Sequence, residues 1–166
     1  DFRNAMSLLT GAVNVVTTAG VSGRHGFTAS SVCSVSDTPA TLLVCMNKAA
    51  SSHGHFIDNK ILTVNVLGAH QQHLSQAFSS KMSPEERFRY ADWTELKTGA
   101  PVLEDALVSF DCQIEQIQEV GTHAIFICRI VAIQQNQHDS EHHQGLVYFN
   151  RAYHYVGHHV EQAEIA

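Results

Sequence analysis

The sequence predicts a mainly β protein, in which the strands close into an antiparallel barrel decorated by a few short helices. Six or seven segments have the β-branched, apolar or alternating pattern of strands, and most of them follow one another closely along the chain. No regular alternation of strand and helix is present, which argues against a doubly wound parallel sheet. The chain has 166 residues, 44% of them hydrophobic, which is enough for one domain with its own core.

The N-terminal part is predicted to contain one helix followed by four strands. Apolar residues at helical spacing run from Phe2 to Leu9, and Gly11 ends this helix. Three glycines within residues 20–26 indicate a loop or hairpin turn between two strands. The strands predicted in this part are residues 12–19, 27–36, 41–47 and 61–67.

Three further short helices are predicted between or after these strands. Residues 51–59 form one that is capped by either of its first two residues, and residues 70–80 form the next. Residues 83–93 begin as a helix because Ser83 suits the N-cap, a proline follows it and acidic residues occupy the first turn. All three are short, which keeps the predicted fold mainly β.

The C-terminal part is predicted to be strands again. These strands are residues 106–117, 123–133 and 145–156. The first alternates apolar residues with polar ones that include Ser109 and Asp111, so we expect those two side chains to face solvent. The second is apolar on both faces, and residues 134–144 read as a polar surface loop. We expect one domain over residues 1–157 and a loose tail over residues 158–166.

Charge and cysteine usage exclude several classes of protein. The formal charge is −6, so the chain has no global basic surface for nucleic acid. The apolar runs, such as residues 124–128, are far too short to span a bilayer. No signal peptide is visible, and the four cysteines lie far apart without a CxxC, which favours buried reduced thiols over disulfides or zinc. We therefore expect a cytoplasmic protein that binds neither nucleic acid nor membrane.

The common catalytic and metal-binding motifs are missing. Twelve histidines occur, but no HExxH or Cys/His zinc spacing does, so we expect no metal site, and the histidine-rich residues 138–143 are given no role. The chain has no GxSxG, no phosphate-binding loop and no dinucleotide fingerprint. The glycines at positions 20, 23 and 26 fit turns better than a nucleotide loop.

Two features of the sequence are compatible with a ligand-binding site. Residues 27–36 are small and rich in hydroxyls, so a flat heteroaromatic ligand with a phosphorylated tail fits against their backbone. Tight packing of a strand against a helix requires the same small residues, and composition does not separate the two interpretations. His123 follows Gly121 and Thr122 in a predicted tight turn at the rim of the barrel, where it is either an ordinary polar turn residue or a functional one.

Several blocks of this sequence together resemble a known family. They include GFTASSVCSVSDTPATLLVCMNKAASSH, GAPVLEDALVSFDCQI, GTH and GLVYFNRAYH, and they span nearly the whole chain in the family's order. The chain is similar to the short-chain NAD(P)H:flavin reductases, the reductase components of two-component flavin-dependent monooxygenases. Those that serve 4-hydroxyphenylacetate hydroxylase and the pyrimidine-degrading monooxygenase resemble it most, and both remain open.

The resemblance implies a flavin-reductase-like split β-barrel, antiparallel and of Greek-key type, that forms a homodimer with its site near the subunit interface. It implies that NADH, or sometimes NADPH, passes a hydride to FMN or FAD. Reduced flavin then leaves for a separate oxygenase that acts on an aromatic or heterocyclic compound. Stacking two planar cofactors is a positioning task, which agrees with the missing acid–base motifs.

The resemblance also implies site residues, which fall into groups by role. Along the isoalloxazine ring it places Thr28, Ala29, Ser30, Ser31 and Val32. At the ribityl chain and phosphate it places Asn47, Lys48, Ser51 and Ser52. Closing over the flavin are Phe78, Arg87 and Phe88. In the final block are Tyr148, Asn150 and His154. At the nicotinamide, as a positioning residue, is His123. Many relatives have Ser-Arg-Thr where this chain has Ala-Ser-Ser, which leaves Lys48 to supply the charge at the phosphate.

Two alternatives share these blocks. One is a flavoprotein that holds its flavin tightly and reduces another acceptor, such as a corrinoid or a metal chelate. The other is a flavin-binding module without turnover.

Overall fold

The computed structural model of the chain describes residues 1–137 and 144–157. The histidine-rich segment and the predicted tail lie outside the described residues. Within them the chain forms twelve strands. They are β1 (Gly11–Ala12), β2 (Asn14–Thr18), β3 (His25–Ala29), β4 (Val32–Asp37), β5 (Ala40–Asn47), β6 (Ile61–Val66), β7 (Trp93–Thr94), β8 (Val102–Leu103), β9 (Val108–Val120), β10 (His123–Gln135), β11 (Gly145–Phe149) and β12 (Ala152–Val156).

Four short α-helices accompany these strands in the described ranges. They are α1 (Phe2–Met6), α2 (His53–Asn59), α3 (Gln72–Ser79) and α4 (Pro84–Phe88). The capping prediction at Ser83 is confirmed, since its side chain accepts a hydrogen bond from the amide of Glu86. Ser52 is the N-cap of α2, but its side chain makes no capping bond.

The main sheet has seven antiparallel strands in the order β3-β2-β6-β9-β10-β5-β4. Its two edge strands, β3 and β4, are joined by Ser30 and Ser31 alone, so the sheet must curl until its edges meet. The amide of Cys45 in β5 donates to the carbonyl of Ser31 at 3.0 Å and so extends the β4–β5 ladder to the link between the edge strands. The predicted mainly β split barrel is confirmed, and the barrel is split between β3 and β4. A smaller sheet, β1-β11-β12, packs beside it.

Three of the predicted strands are each two strands, and residues 12–19 are divided at Val13 between β1 and β2. Residues 27–36 are interrupted at Ser30–Ser31, where β3 ends and β4 begins. Residues 145–156 form a hairpin, because Asn150 and Arg151 adopt φ of 50° and 61° and reverse the chain. Positive φ at both central residues suits the twist of a two-residue hairpin.

Strand β9 differs from its prediction in the side chains that it buries. Ser109 and Asp111 are fully buried, although the alternation placed them in solvent. The segment at Lys97 and Thr98 crosses over this face of the sheet. Asp111 accepts hydrogen bonds from both of their backbone amides at 2.7 and 2.9 Å, and Ser109 donates to Asn65 at 2.8 Å. These polar groups are buried because each has a partner.

The core has two parts on either side of β2, whose five residues are all buried. Inside the barrel lie Val16, Leu42, Val44, Met46, Leu62 and Phe126. Beneath helices α3 and α4 lie Val15, Leu74, Phe78, Phe88 and Leu103. Helix α1 joins neither part, since it buries none of its residues, and Phe2 remains 77% exposed.

The prediction that the cysteines are buried, reduced thiols is confirmed in part. All four are free thiols. Cys112 and Cys128 are buried, and burial raises the pKa of both, that of Cys128 to about 12. Cys33 is exposed and Cys45 half-buried, because β4 is an edge strand and β5 lines a cleft. No helix in the described ranges is long and apolar enough to cross a bilayer.

Candidate active site

A cleft of about 430 Å³ opens where the barrel is split. Its walls come from β3, the end of β5, the segment before α2, helices α3 and α4, and the start of β10. The predicted site residues that line it are Thr28, Ala29, Ser30, Ser31, Asn47, Ser51, Ser52, Phe78, Arg87 and His123. Its volume lies within the usual range for small-molecule sites.

Five further residues line the same cleft and were missed by the sequence analysis. They are Phe27, Cys45, Met46, Ala50 and Ser79. All but Cys45 are direct neighbours of a predicted residue along the chain, and that adjacency was the available signal. Cys45 and Met46 are there because β5 ends beside the split, which follows from the strand order and not from local pattern.

Strand β3 is fixed to helix α3 by its small residues. A Cβ at Gly26 would lie 2.8 Å from Cε1 of Phe78, so only glycine permits this approach. The hydroxyl of Thr28 donates to the carbonyl of Ser75 at 2.6 Å. At these two positions the packing interpretation of the small residues holds. Ser30 and Ser31, by contrast, are exposed and line the cleft, so their hydroxyls are accessible to a ligand.

Arg87 is the cation that the structure places in the cleft wall. Its Nη1 donates to the carbonyl of Gly26 at 2.8 Å, and its Nη2 donates to the carbonyl of Ser80. Its Nε is buried and has no partner among the described residues. Burial lowers the pKa of Arg87 from its ordinary value, but a guanidinium keeps its charge in proteins. The guanidinium therefore joins β3 to the segment before α4 and carries its charge in the cleft wall.

The residues predicted to bind the ribityl chain and phosphate do not all line the cleft. Ser51 and Ser52 line the cleft at the start of α2. Asn47 also lines it, and its side chain accepts from the amide of Ala49 at 2.9 Å. Lys48 does not line it, and its ammonium lies 3.5 Å from a carboxylate oxygen of Glu119. The structure thus gives no support to Lys48 as the charge at a phosphate in this cleft.

His123 stands at the rim, as the turn prediction implied. It is the first residue of β10 and lies opposite Asn47 of β5. The hydroxyl of Thr122 lies 2.8 Å from its Nδ1, so a neighbouring side chain orients the exposed ring. With Nδ1 engaged, Nε2 is the nitrogen available to a ligand in the cleft.

Five other predicted residues lie outside the cleft lining, besides Lys48. They are Val32, Phe88, Tyr148, Asn150 and His154. Val32 packs against the barrel core, and Phe88 is a core residue whose ring lies 5.2 Å from that of Phe78. The other three belong to the hairpin of β11 and β12. Their ligand contacts stay predictions.

Comparison with known proteins decides the family. The profile of the family described as "Flavin reductase like domain" matches residues 6–157. The chain belongs to this family. The FMN reductase (NADH) RutF of Pantoea ananatis is 54% identical over 154 residues, which cover 93% of this chain and 79% of that protein.

Solved structures of flavin reductases have the same fold. A candidate flavin reductase from Haemophilus somnus 129PT superposes with a TM-score of 0.88 at 54% identity, covering 93% of this chain and 97% of that one. The styrene monooxygenase flavin reductase of Pseudomonas putida S12 superposes with a TM-score of 0.81 at 27% identity, covering 96% of this chain and all of that one (100%). The cleft at the barrel split therefore belongs to a member of the flavin reductase family.

The chemistry of the cleft residues suits a flavin. The small residues around Ser30 leave room for a planar ring, and hydroxyls and one guanidinium surround that space. The described lining includes no Asp, Glu or Lys, so it offers no carboxylate or amine for proton transfer. A hydride transfer between two stacked rings needs positioning and a fixed electrostatic environment, both of which these residues supply.

Proposed function

We propose that this protein is an NADH-dependent flavin reductase that uses FMN as a substrate and supplies the reduced flavin to a separate monooxygenase. The observation that carries the proposal is the cleft at the barrel split, where ten residues predicted from the family blocks come together. FMN and NADH are favoured over FAD and NADPH because a relative at 54% identity is named for that pair. A monooxygenase partner is favoured because the Pseudomonas putida S12 relative is a styrene monooxygenase flavin reductase.

In this proposal the residues of the cleft divide the work of binding. Ser30 and Ser31 hold one edge of the flavin ring, and the guanidinium of Arg87 places a positive charge in the wall beside it. Ser51 and Ser52 receive the ribityl phosphate. His123 positions the nicotinamide through the ring nitrogen that Thr122 does not engage. Bound together, the two cofactors supply the hydride donor and acceptor, so the protein needs no acid or base of its own.

We further propose that the protein works as a homodimer in the cytoplasm. Helix α1 and the segment after it expose Phe2, Met6, Leu8 and Leu9. An apolar group of this kind is typical of an interface, and a second copy of the chain is the occupant proposed here. The free thiols accord with a reducing compartment. Size-exclusion chromatography with light scattering tests the dimer, and a monomer at micromolar concentration would exclude it.

The activity is tested with purified protein under anaerobic conditions. NADH is added with FMN, with FAD or without flavin, and the flavin absorbance and the loss of NADH are followed together. We expect bleaching of FMN at many equivalents per protein, because a substrate flavin exchanges freely. Bleaching of no more than one equivalent of a flavin that survives gel filtration would favour the tightly bound flavoprotein instead. If NADH bleaches no flavin at all, the protein would instead be a flavin-binding module without turnover.

A further inference from the structure

Strand β1 passes directly behind the link that joins the two edge strands of the barrel. This link consists of Ser30 and Ser31, which are both exposed and line the cleft. The chain leaves the small sheet for the main sheet at Val13, which lies between β1 and β2. That crossing brings Gly11 of β1 against the backbone of Ser30. The back of the link is therefore in contact with a part of the chain that does not itself line the cleft.

The glycine at position 11 is required by the space available to it. Gly11 does not adopt a positive φ, so its backbone conformation does not call for glycine. A Cβ at this position would lie 3.0 Å from the carbonyl oxygen of Ser30 and 3.1 Å from its Cβ, both closer than ordinary van der Waals contacts. An alanine would therefore push β1 and the link apart. Because Ser30 is exposed, the link is the side that has room to move.

Two hydrogen bonds fix the ends of the same link. Asn14 is buried, and its side-chain amide donates to the carbonyl of Ala29 at 3.1 Å and to the carbonyl of Ala12 at 3.1 Å. It thus joins the residue before the link to β1. At the other end, the amide of Cys45 donates to the carbonyl of Ser31 at 3.0 Å. The backbone is therefore held on both sides of the bend, and the contact with β1 fixes the bend itself.

A link anchored in this way presents its hydroxyls at a fixed place in the cleft wall. We propose that Gly11 and Asn14 are positioning residues for the flavin, which act through Ser30 and Ser31 and do not touch the ligand themselves. The inference rests on the proposed function, since it takes FMN as the ligand whose ring edge meets the two serines. Hydrogen bonds weaken steeply as their geometry departs from the optimum, so a small shift of the link lowers flavin affinity.

The first test compares two alanine substitutions in the small sheet. Gly11→Ala should weaken FMN roughly fivefold in a fluorescence titration without NADH, because the link moves. Gly145→Ala in β11 is the matched control, since its Cβ would lie 3.2 Å from a methyl of Val156 and so crowds the same sheet away from the link. It should leave FMN affinity unchanged. Equal FMN affinities in the wild type and Gly11→Ala would overturn the proposal, as would equal losses in the two variants.

A double-mutant cycle shows whether Gly11 acts through the link. Ser30→Ala removes the hydroxyl that the shift misplaces, so Gly11→Ala should cost much less FMN affinity in this background than in the wild type. Fully additive losses would overturn the proposal, because Gly11 would then act on the flavin by another route. Asn14→Ser, which shortens the side chain that donates to Ala29, is a second variant that adds no bulk at position 11. It should weaken FMN too, and an unchanged affinity would contradict the role of Asn14.

Amide exchange reports on the link without any flavin. The amide of Cys45 is protected by its bond to the Ser31 carbonyl, so Gly11→Ala should make it exchange several times faster, whereas Gly145→Ala should not. Hydrogen exchange followed by NMR resolves this single amide, and an unchanged rate would overturn the proposal. If the wild type bound no FMN, the proposed function would fail, while the exchange rates would still decide whether Gly11 holds the link in place.

Discussion

Gly26 and Phe78 are so close that a single methyl group would not fit between them. A Cβ at position 26 would lie 2.8 Å from Cε1 of Phe78 and 3.2 Å from the carbonyl of Val16. The Phe78 ring has little freedom to move, since it packs edge-to-face against Phe88 at 5.2 Å and Trp93 at 5.7 Å. The missing side chain at position 26 therefore sets how closely β3, and with it one wall of the cleft, lies against helix α3.

Gly26→Ala should destabilise the protein because the added methyl displaces either β3 or a packed core ring. We expect a loss of about 1–3 kcal/mol in the free energy of unfolding, as for other overpacked cores. Urea denaturation measures it, and FMN affinity should fall as well. The control is Gly54→Ala in α2, where a Cβ meets nothing within 4 Å and alanine favours the helix. Equal stabilities for the two variants would show that β3 has room to move.

The hydroxyls of Thr28 and Ser30 should have different roles, the first in stability and the second in flavin binding. Thr28→Val removes the bond to the Ser75 carbonyl, which still accepts from Ser79, so we expect a loss of about 1 kcal/mol in stability and little change in FMN affinity. Ser30→Ala should do the reverse, weakening FMN roughly fivefold at unchanged stability. Flavin fluorescence titration and thermal unfolding measure the two effects. The reverse pattern would exchange the assigned roles.

His123→Ala should raise the KM for NADH roughly tenfold while the dissociation constant for FMN changes little, if the ring contacts the nicotinamide alone. Steady-state kinetics and flavin titration separate the two quantities. His73→Ala is the control, because that histidine is exposed on α3 and lies outside the cleft lining. A similar loss of NADH and FMN binding in His123→Ala would argue against a specific nicotinamide contact.

The stacked rings of His25 and His55, whose centroids lie 3.5 Å apart, should make stability depend on pH. Burial first, and then the charges of His55 and Arg87, lower the pKa of His25 below its ordinary 6.5. Below pH 6.5 the unfolded chain therefore binds more protons at this residue than the folded protein does, and the free energy of unfolding should fall as the pH is lowered. His25→Gln should flatten this dependence, measured by urea unfolding between about pH 5 and 8. His73→Gln, at an exposed position of α3, should not.

The sequence by itself located the longer strands, because the β-branched and alternating patterns are local, but it missed β7 and β8 and the breaks within residues 12–19, 27–36 and 145–156. It also determined the start of α4, since Ser83 and the proline after it act within one turn. The absence of acid–base motifs agrees with the flavin reductase family to which the chain belongs. These features depend on residues within a few positions of one another, and local pattern therefore carries them.

Only the tertiary structure decided which of the small residues face the cleft. The partners of Gly26 and Thr28 are 61 and 47 residues away, at Arg87 and Ser75, and the seven-strand order brings them together. The same holds for Asp111. The alternating pattern of its strand predicts an exposed side chain, but residues 97–98 cover it and donate two backbone amides to its carboxylate. A side chain's environment is set by whatever packs on its face of the sheet. Alternation fixes the face, and the path of distant chain segments fixes what covers it.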